Sequence, residues 1–256
     1  MFIRVHSWFQ TDFSLPVKER SLQAVPRTLM LIGALLLTLQ IGFRAQQAAP
    51  SAHAEAQTPP PSIVGVRLSS LNEPIAASGL LALRLQAFDN QPGISIPFAA
   101  LDYARLVAWL ETLLALDPQA NYPLLMASHL YAQVPDLARQ RLMLDFTYRQ
   151  FLADPQRRWR FLAHAALLAK HRLRDLPLAL TYARAIQAHA HSTSIPHWAS
   201  QMPIFILEEM GELAAAKIEL GALLASDSIT DPQERHFLTE RYQTLAATAS
   251  KPQHTR

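Results

Sequence analysis

Between Leu176 and Ile186 the chain reads LPLALTYARAI, and between Leu213 and Leu224 it reads LAAAKIELGALL. In the first stretch Leu176, Ala179, Leu180, Ala183 and Ile186 recur every three or four residues. Leu213, Ala216, Leu220, Leu223 and Leu224 do the same in the second, so each builds one apolar helical face. Ala179 and Ala216 stand 37 residues apart, each five residues after a turn residue, Arg174 or Gly211. A small residue at that point lets two helices approach closely.

Working outward, prolines break the pattern at Pro118, Pro155, Pro196 and Pro232, at intervals of 37, 41 and 36 residues. Each interval holds two helices and a short turn. Helices are expected over 98–116, 123–133, 136–153, 158–171, 176–190, 198–210, 212–226 and from Pro232 to about 248. A recurring unit of this length is the mark of stacked helical hairpins. Phe237, Leu238, Tyr242 and Leu245 form one stripe of the last helix, suited to sealing the final hairpin.

Composition agrees with an all-α domain. Half of the residues are apolar, there are seven glycines, and β-branched residues are sparse in the second half. From Ser62 onward eighteen Lys and Arg face seventeen Asp and Glu. The soluble part is therefore near neutral and carries no electrostatic footprint for nucleic acid. The chain has no cysteine, which excludes thiol catalysis, Fe–S clusters and cysteine zinc sites.

Upstream lies Thr28–Phe43, TLMLIGALLLTLQIGF, sixteen uncharged residues between Arg27 and Arg44. As a helix it covers ~24 Å, short of a ~30 Å hydrocarbon core unless the flanking arginines snorkel. The expectation is an uncleaved transmembrane anchor. Two readings compete: a buried core helix, and a signal peptide cut after Ala52-His53-Ala54, eleven residues past Phe43. Arg4, Lys18, Arg20 and Arg27 precede the span, whereas only Arg44 follows it before Arg67. The positive-inside rule then puts the N-terminus in the cytoplasm and the helical domain across the membrane, the periplasm in a bacterium.

The resulting division is a basic leader at 1–27, a transmembrane helix at 28–43, and an Ala/Gln/Pro linker at 44–62. A helix plus irregular segment follows at 63–97, then the repeat domain at 98–248 and a disordered tail at 249–256. In the fourth of these, Asn72-Glu73-Pro74 starts a helix that runs to about Phe88. The segment from Asp89 to Phe98 reads either as the closure of the first end or as a binding loop.

Gly211, Ala216 and Pro232, with Ala179 and Pro155, make the hairpins resemble tetratricopeptide repeats over about 98–248. The period is longer than 34 residues, and the Trp-Leu-Gly-Tyr pattern of that family's first helix is absent. An anchor followed by such hairpins, with the runs LQAFDNQPGISIPF, RRWRFLAHAALLAKHRLRDLPLALTYA and ITDPQERHFL, also resembles single-pass envelope proteins of bacteria. The resemblance implies a TPR-like α-solenoid that binds other proteins or peptides of the envelope, with no catalytic chemistry, no cofactor and no small-molecule substrate.

Ten histidines invite a metal hypothesis. His164 and His171 lie two turns apart on one helical face, too far to chelate without a third group, and His189 and His191 diverge at a helix end. No HExxH, GxSxG or glycine-rich phosphate loop occurs. Neither metal ligands nor catalytic residues are assigned, and Glu208-Glu209 reads as a solvated helix end. The alternative function is that of a helical accessory enzyme of envelope or polysaccharide processing, which needs a cleft lined with acids.

Arg157, Arg158, Arg160, Lys170, Arg172 and Arg174 crowd one hairpin, and Glu208, Glu209, Glu212 and Glu219 the next. Either neighbouring hairpins neutralise each other, or Arg157, Arg158, Trp159 and Arg160 face a groove and capture an acidic partner.

Overall fold

The protein, described from a computed structural model, is placed over residues 26–47, 54–71, 73–191, 195–226 and 229–249. The leader up to residue 25, Ala52 and His53 of the cleavage motif, the Asn72 cap and the tail from residue 250 lie outside the described residues.

The chain divides into two units, Met1–Ser51 and Ala52–Arg256. The first holds α1, Arg27–Gln46, twenty residues with every side chain exposed. Four residues more than the apolar run alone bring it to ~30 Å, the thickness of a hydrocarbon core. The helix is long and apolar enough to cross a membrane.

The second unit is almost wholly helical: α2 (Ile63–Ser69), α3 (Pro74–Gln86), α4 (Tyr103–Leu116), α5 (Tyr122–Leu125), α6 (Leu137–Ala153), α7 (Pro155–Leu168), α8 (Leu176–His189), α9 (His197–Glu209), α10 (Leu213–Ala225) and α11 (Pro232–Ala249). Local chemistry sets the starts. Asp102, Asp136 and Asp175 accept from the backbone N–H three residues on, at 3.0–3.1 Å. Prolines open α3 and α7, where no amide bond is lost.

Four boundaries differ from the sequence reading. The helix expected from Phe98 is a single 3₁₀ turn, Phe98–Ala100, followed by a fresh start at Asp102. The helix expected over 123–133 is regular only to Leu125, then widens into a π-turn, Met126–Leu130. α7 begins at Pro155, because proline fixes φ for the first helical turn. It ends in a second π-turn, Ala169–Leu173. Asp89–Phe98 contains a two-strand hairpin, β1 (Asn90–Gln91) against β2 (Ile94–Ser95), turned at Gly93 with φ +78°. A positive φ there suits the residue without a Cβ.

One apolar cluster runs from Ala82 on α3 to Leu245 on α11. Each helix from α6 to α11 packs on the next in the chain, and α3 packs on α4. Ala82 and Leu85, with Leu81, Phe88 and Ile96 against them, therefore share the core of 98–248. In α11, Leu238 and Leu245 are buried, whereas Phe237 is exposed.

The turns before α8 and α10 match. Arg174 (φ +54°) and Gly211 (φ +79°) are both left-handed. Ala179 and Ala216, five residues on, have no exposed surface. The left-handed residue reverses the chain, and the alanine lets the second helix close on its neighbour.

The 44–62 stretch is not a free linker along its length. Arg105 Nη1 on α4 donates to the Gln57 carbonyl, and Trp109 Nε1 donates to the Thr58 carbonyl at 2.9 Å. Proline-rich extended backbone has no partner within itself for its carbonyls. The two side chains of α4 take them up and strap residues 57–58 to the domain.

Candidate functional site

α6 and α7 are joined by one residue, Asp154, which ends the first helix and precedes the second. That junction sets the four residues singled out by sequence. Arg157 points outward, its Nε 2.5 Å from the Asp154 carboxylate. Arg158 faces inward and is 6 % exposed. Its Nη1 donates to the Gln150 carbonyl (2.7 Å) and to Gln150 Oε1 (3.0 Å), and its Nη2 to the Pro118 carbonyl (2.8 Å). Arg158 thus staples the loop after α4 to the C-terminal turn of α6. It is unavailable to a partner, and the reading that placed it in a groove is corrected. The periodicity explains the split: residues 157 and 158 lie ~100° apart around a helix.

Trp159 and Arg160 remain at the surface. The Arg160 guanidinium lies 5.9 Å from the Phe161 ring centroid. Trp159, half-buried, meets Trp198 on α9 edge to face, with ring centroids 5.7 Å apart. Trp198 is 50 % exposed. Beside them Gln156 donates to the His189 carbonyl (2.9 Å) and accepts from the His191 N–H (3.1 Å), closing the end of α8. The sequence marked Trp198 only as a helix start. Its pairing with Trp159 across two hairpins has no local signature.

The charged side chains chiefly bridge hairpins. Glu111 meets Arg149 at 3.1 Å, Asp175 meets Arg141 at 2.5 Å, and Glu219 meets Arg184 at 2.9 Å. Lys170 pairs with Glu209, and Arg241 with Glu208. Glu208 and Glu209 end α9 and are both paired; Glu208 is largely covered, whereas Glu209 stays exposed to solvent. These partners lie 33–39 residues apart, one hairpin away. Of the two groups crowded in the sequence, Lys170–Glu209 is the direct pair described here. Arg172 turns instead to Gln133 Oε1, at 3.1 Å.

His164 has His129, not His171, beside it. The two rings stack with centroids 3.8 Å apart and planes 11° from parallel. His129 sits in the π-turn, and its Nδ1 is 2.8 Å from Ser128 Oγ. Burial lowers both pKa values below the ordinary 6.5, and His129 lowers that of His164 further. Two parallel rings offer a metal no shared point of approach. Among the described residues no group of three or more His, Asp or Glu is placed to hold a metal ion.

Two apolar grooves lie on either side of α3. One, about 690 Å³, runs between α3 and the Asp117–Pro123 segment. The other, about 410 Å³, runs between α2 and α3. Ala76 and Leu80 line both. The inner face of α3 is buried, with Ser78 Oγ donating to the Leu113 carbonyl at 3.0 Å. Its outer face carries Ile75, Leu80 and Leu83, each at least 60 % exposed. A helix that is apolar all round is normally covered all round.

No protein-family model, no curated protein and no solved structure matches this chain.

Proposed function

We propose that the protein is a membrane-anchored interaction scaffold. α1 is its anchor, and the hairpins from α4 to α11 form a TPR-like stack that captures other envelope proteins or peptides without catalysis. The observation that carries this reading is the Trp159–Trp198 pair. Two tryptophans from different hairpins meet at the surface beside Arg160, and large aromatics with arginine are the side chains that dominate binding energy at protein interfaces. The hairpin-to-hairpin ion pairs and the matched turns at Arg174 and Gly211 support a repeating stack. The basic residues before α1 support a cytoplasmic N-terminus and a periplasmic stack in a bacterial inner membrane.

Capture works by fixing a partner segment against the tryptophans while the anchor keeps it near the membrane. In-cell crosslinking of the full-length, membrane-resident protein tests this, with captured proteins identified by mass spectrometry. The Trp159→Ala/Trp198→Ala variant is expected to lose a reproducible set of envelope partners while keeping its melting temperature within a few degrees. An unchanged set of captured proteins would count against this face.

A further inference from the structure

We propose that the outer face of α3 rests on the lipid bilayer that holds α1, with its leucines at the boundary between headgroups and acyl chains. This deepens the anchored reading above and rests on α1 being a membrane span.

Helix rotation sets the face. Ser78, Ala82 and Leu85 are buried and lie within ~60° of one another around α3. On the far side stand Ala76 and Leu83, ~20° apart, with Gly79 and Leu80 ~50° to either side of them. All four are exposed. Ile75 and Arg84 mark the two edges, each ~90° from the middle. Arg84 is the only charged residue within α3, and among the described residues it makes no ion pair. An arginine at the edge of an apolar strip lays its stem on lipid and keeps its guanidinium among phosphates. Glu73, the nearest acid in sequence, precedes the helix at the opposite end.

Where the chain joins the domain says what covers this face. The Glu55 N–H donates to Gln91 Oε1 at 2.8 Å, and the Glu55 carbonyl accepts from Gln91 Nε2 at 3.3 Å. Attachment to the domain therefore begins at Glu55, ahead of the strap at Gln57 and Thr58. Residues 55–58 line one small cavity together with Arg84, Leu85 and Phe88, so the incoming chain runs beside the last turn of α3. α1 ends at Gln46, nine residues before Glu55. Nine residues reach ~32 Å at most, whereas an unattached chain as far as Ser62 would reach ~58 Å. The short tether enters at the end of α3 that carries Arg84, and it holds that end at high local concentration against the bilayer.

The surroundings are of the same kind. On α2, Val64 and Leu68 are exposed and stand opposite the buried Val66. Across the groove from Leu83, Tyr122 donates to Gln86 Oε1 at 2.6 Å. Tyrosine suits the level of the headgroups, with an apolar ring and a polar tip.

The chain has no cysteine, so one introduced thiol reports one position. Full-length protein is reconstituted into vesicles of phosphatidylcholine and phosphatidylglycerol and labelled with a polarity-sensitive fluorophore. Lipids bearing nitroxides on their acyl chains serve as quenchers. The probe at Leu83→Cys is expected to be blue-shifted and quenched several-fold more strongly than one at Ile218→Cys, on the exposed surface of α10. Leu80→Asp in the Leu83→Cys background should cut that quenching several-fold. Both replaced leucines are exposed, so melting temperatures should stay within a few degrees of the parent's. Leu36→Cys in α1 reports the anchor by itself. Quenching at Leu36→Cys without excess quenching at Leu83→Cys would overturn the proposal and leave the anchor standing. No quenching at Leu36→Cys would overturn both. A blue-shifted Leu83→Cys probe that the lipid nitroxides do not reach would give the face to a second copy of the chain, and the proposal is again overturned. So it is if Leu80→Asp leaves the quenching unchanged.

Discussion

The Arg158 guanidinium on α7 reaches the Pro118 carbonyl, 40 residues earlier, at 2.8 Å, while the same group holds Gln150. One buried cation thereby fastens three elements. Hydrogen bonds to a charged group are worth ~1.5–3 kcal/mol each, and removing the donor leaves carbonyls unpaired. Arg158→Ala is expected to cost about 2–4 kcal/mol by denaturant unfolding. Arg157→Ala and Arg160→Ala, at the surface, should each change stability by no more than ~0.5 kcal/mol. Equal effects at the three positions would contradict the burial of Arg158.

Arg174 holds a left-handed backbone that costs a non-glycine residue ~1–2 kcal/mol. The matching turn uses Gly211. Arg174→Gly is expected to raise stability by about 0.5–1 kcal/mol, part of the relief being offset by the freer unfolded chain. Gly211→Arg should lower it. A paired thermal melt checks both signs.

Ala179 and Ala216 close the contact between the helices of their hairpins and have no exposed surface. Leucine at either site forces neighbouring side chains off their rotamers and should cost ~1–3 kcal/mol. The exposed Ala222, on the same helix as Ala216, should tolerate leucine. Equal tolerance at the two positions would show that close approach at Ala216 is not required.

The His129–His164 stack gives a pH dependence with a definite sign. Folding lowers both pKa values from 6.5, so the unfolded chain binds protons more tightly. The contribution of the pair is complete above 6.5 and is lost as pH falls through the lower folded values. The denaturation midpoint should therefore fall between about pH 7.5 and about pH 5. His164→Phe should reduce that fall, by keeping the ring contact without the charge. An identical fall in the variant would assign the dependence to carboxylates.

Helix order was legible because its signals are local. Aspartate caps and prolines mark where α6, α8 and α11 start, and the alanine and leucine spacing marks the faces they bury. The left-handed turns were legible as turn residues five positions before an alanine. What was not legible is set by contacts across the chain. The strap at Gln57 and Thr58 uses backbone carbonyls, which carry no sequence signature. The stack of His129 on His164 and the meeting of Trp159 with Trp198 join residues in different hairpins. Arg157, Arg158 and Arg160 look alike in sequence, but helical rotation sends Arg158 to the interior and the other two to water. The π-turn at Met126–Leu130 was missed for a related reason: apolar spacing over so few residues does not distinguish an α turn from a wider one.

Bridging contacts one hairpin apart also dictate an order of opening. A segment held chiefly by its neighbours in the chain loosens when a neighbour does, so loss of structure travels inward from an end. α7 buries seven of its fourteen residues, including Leu162 and Ala165, whereas α10 buries only Ala216 and Leu220. Amide hydrogens of α10 should exchange before those of α7. A partner that grips the middle of the molecule would then find it ordered even while its C-terminal hairpin breathes.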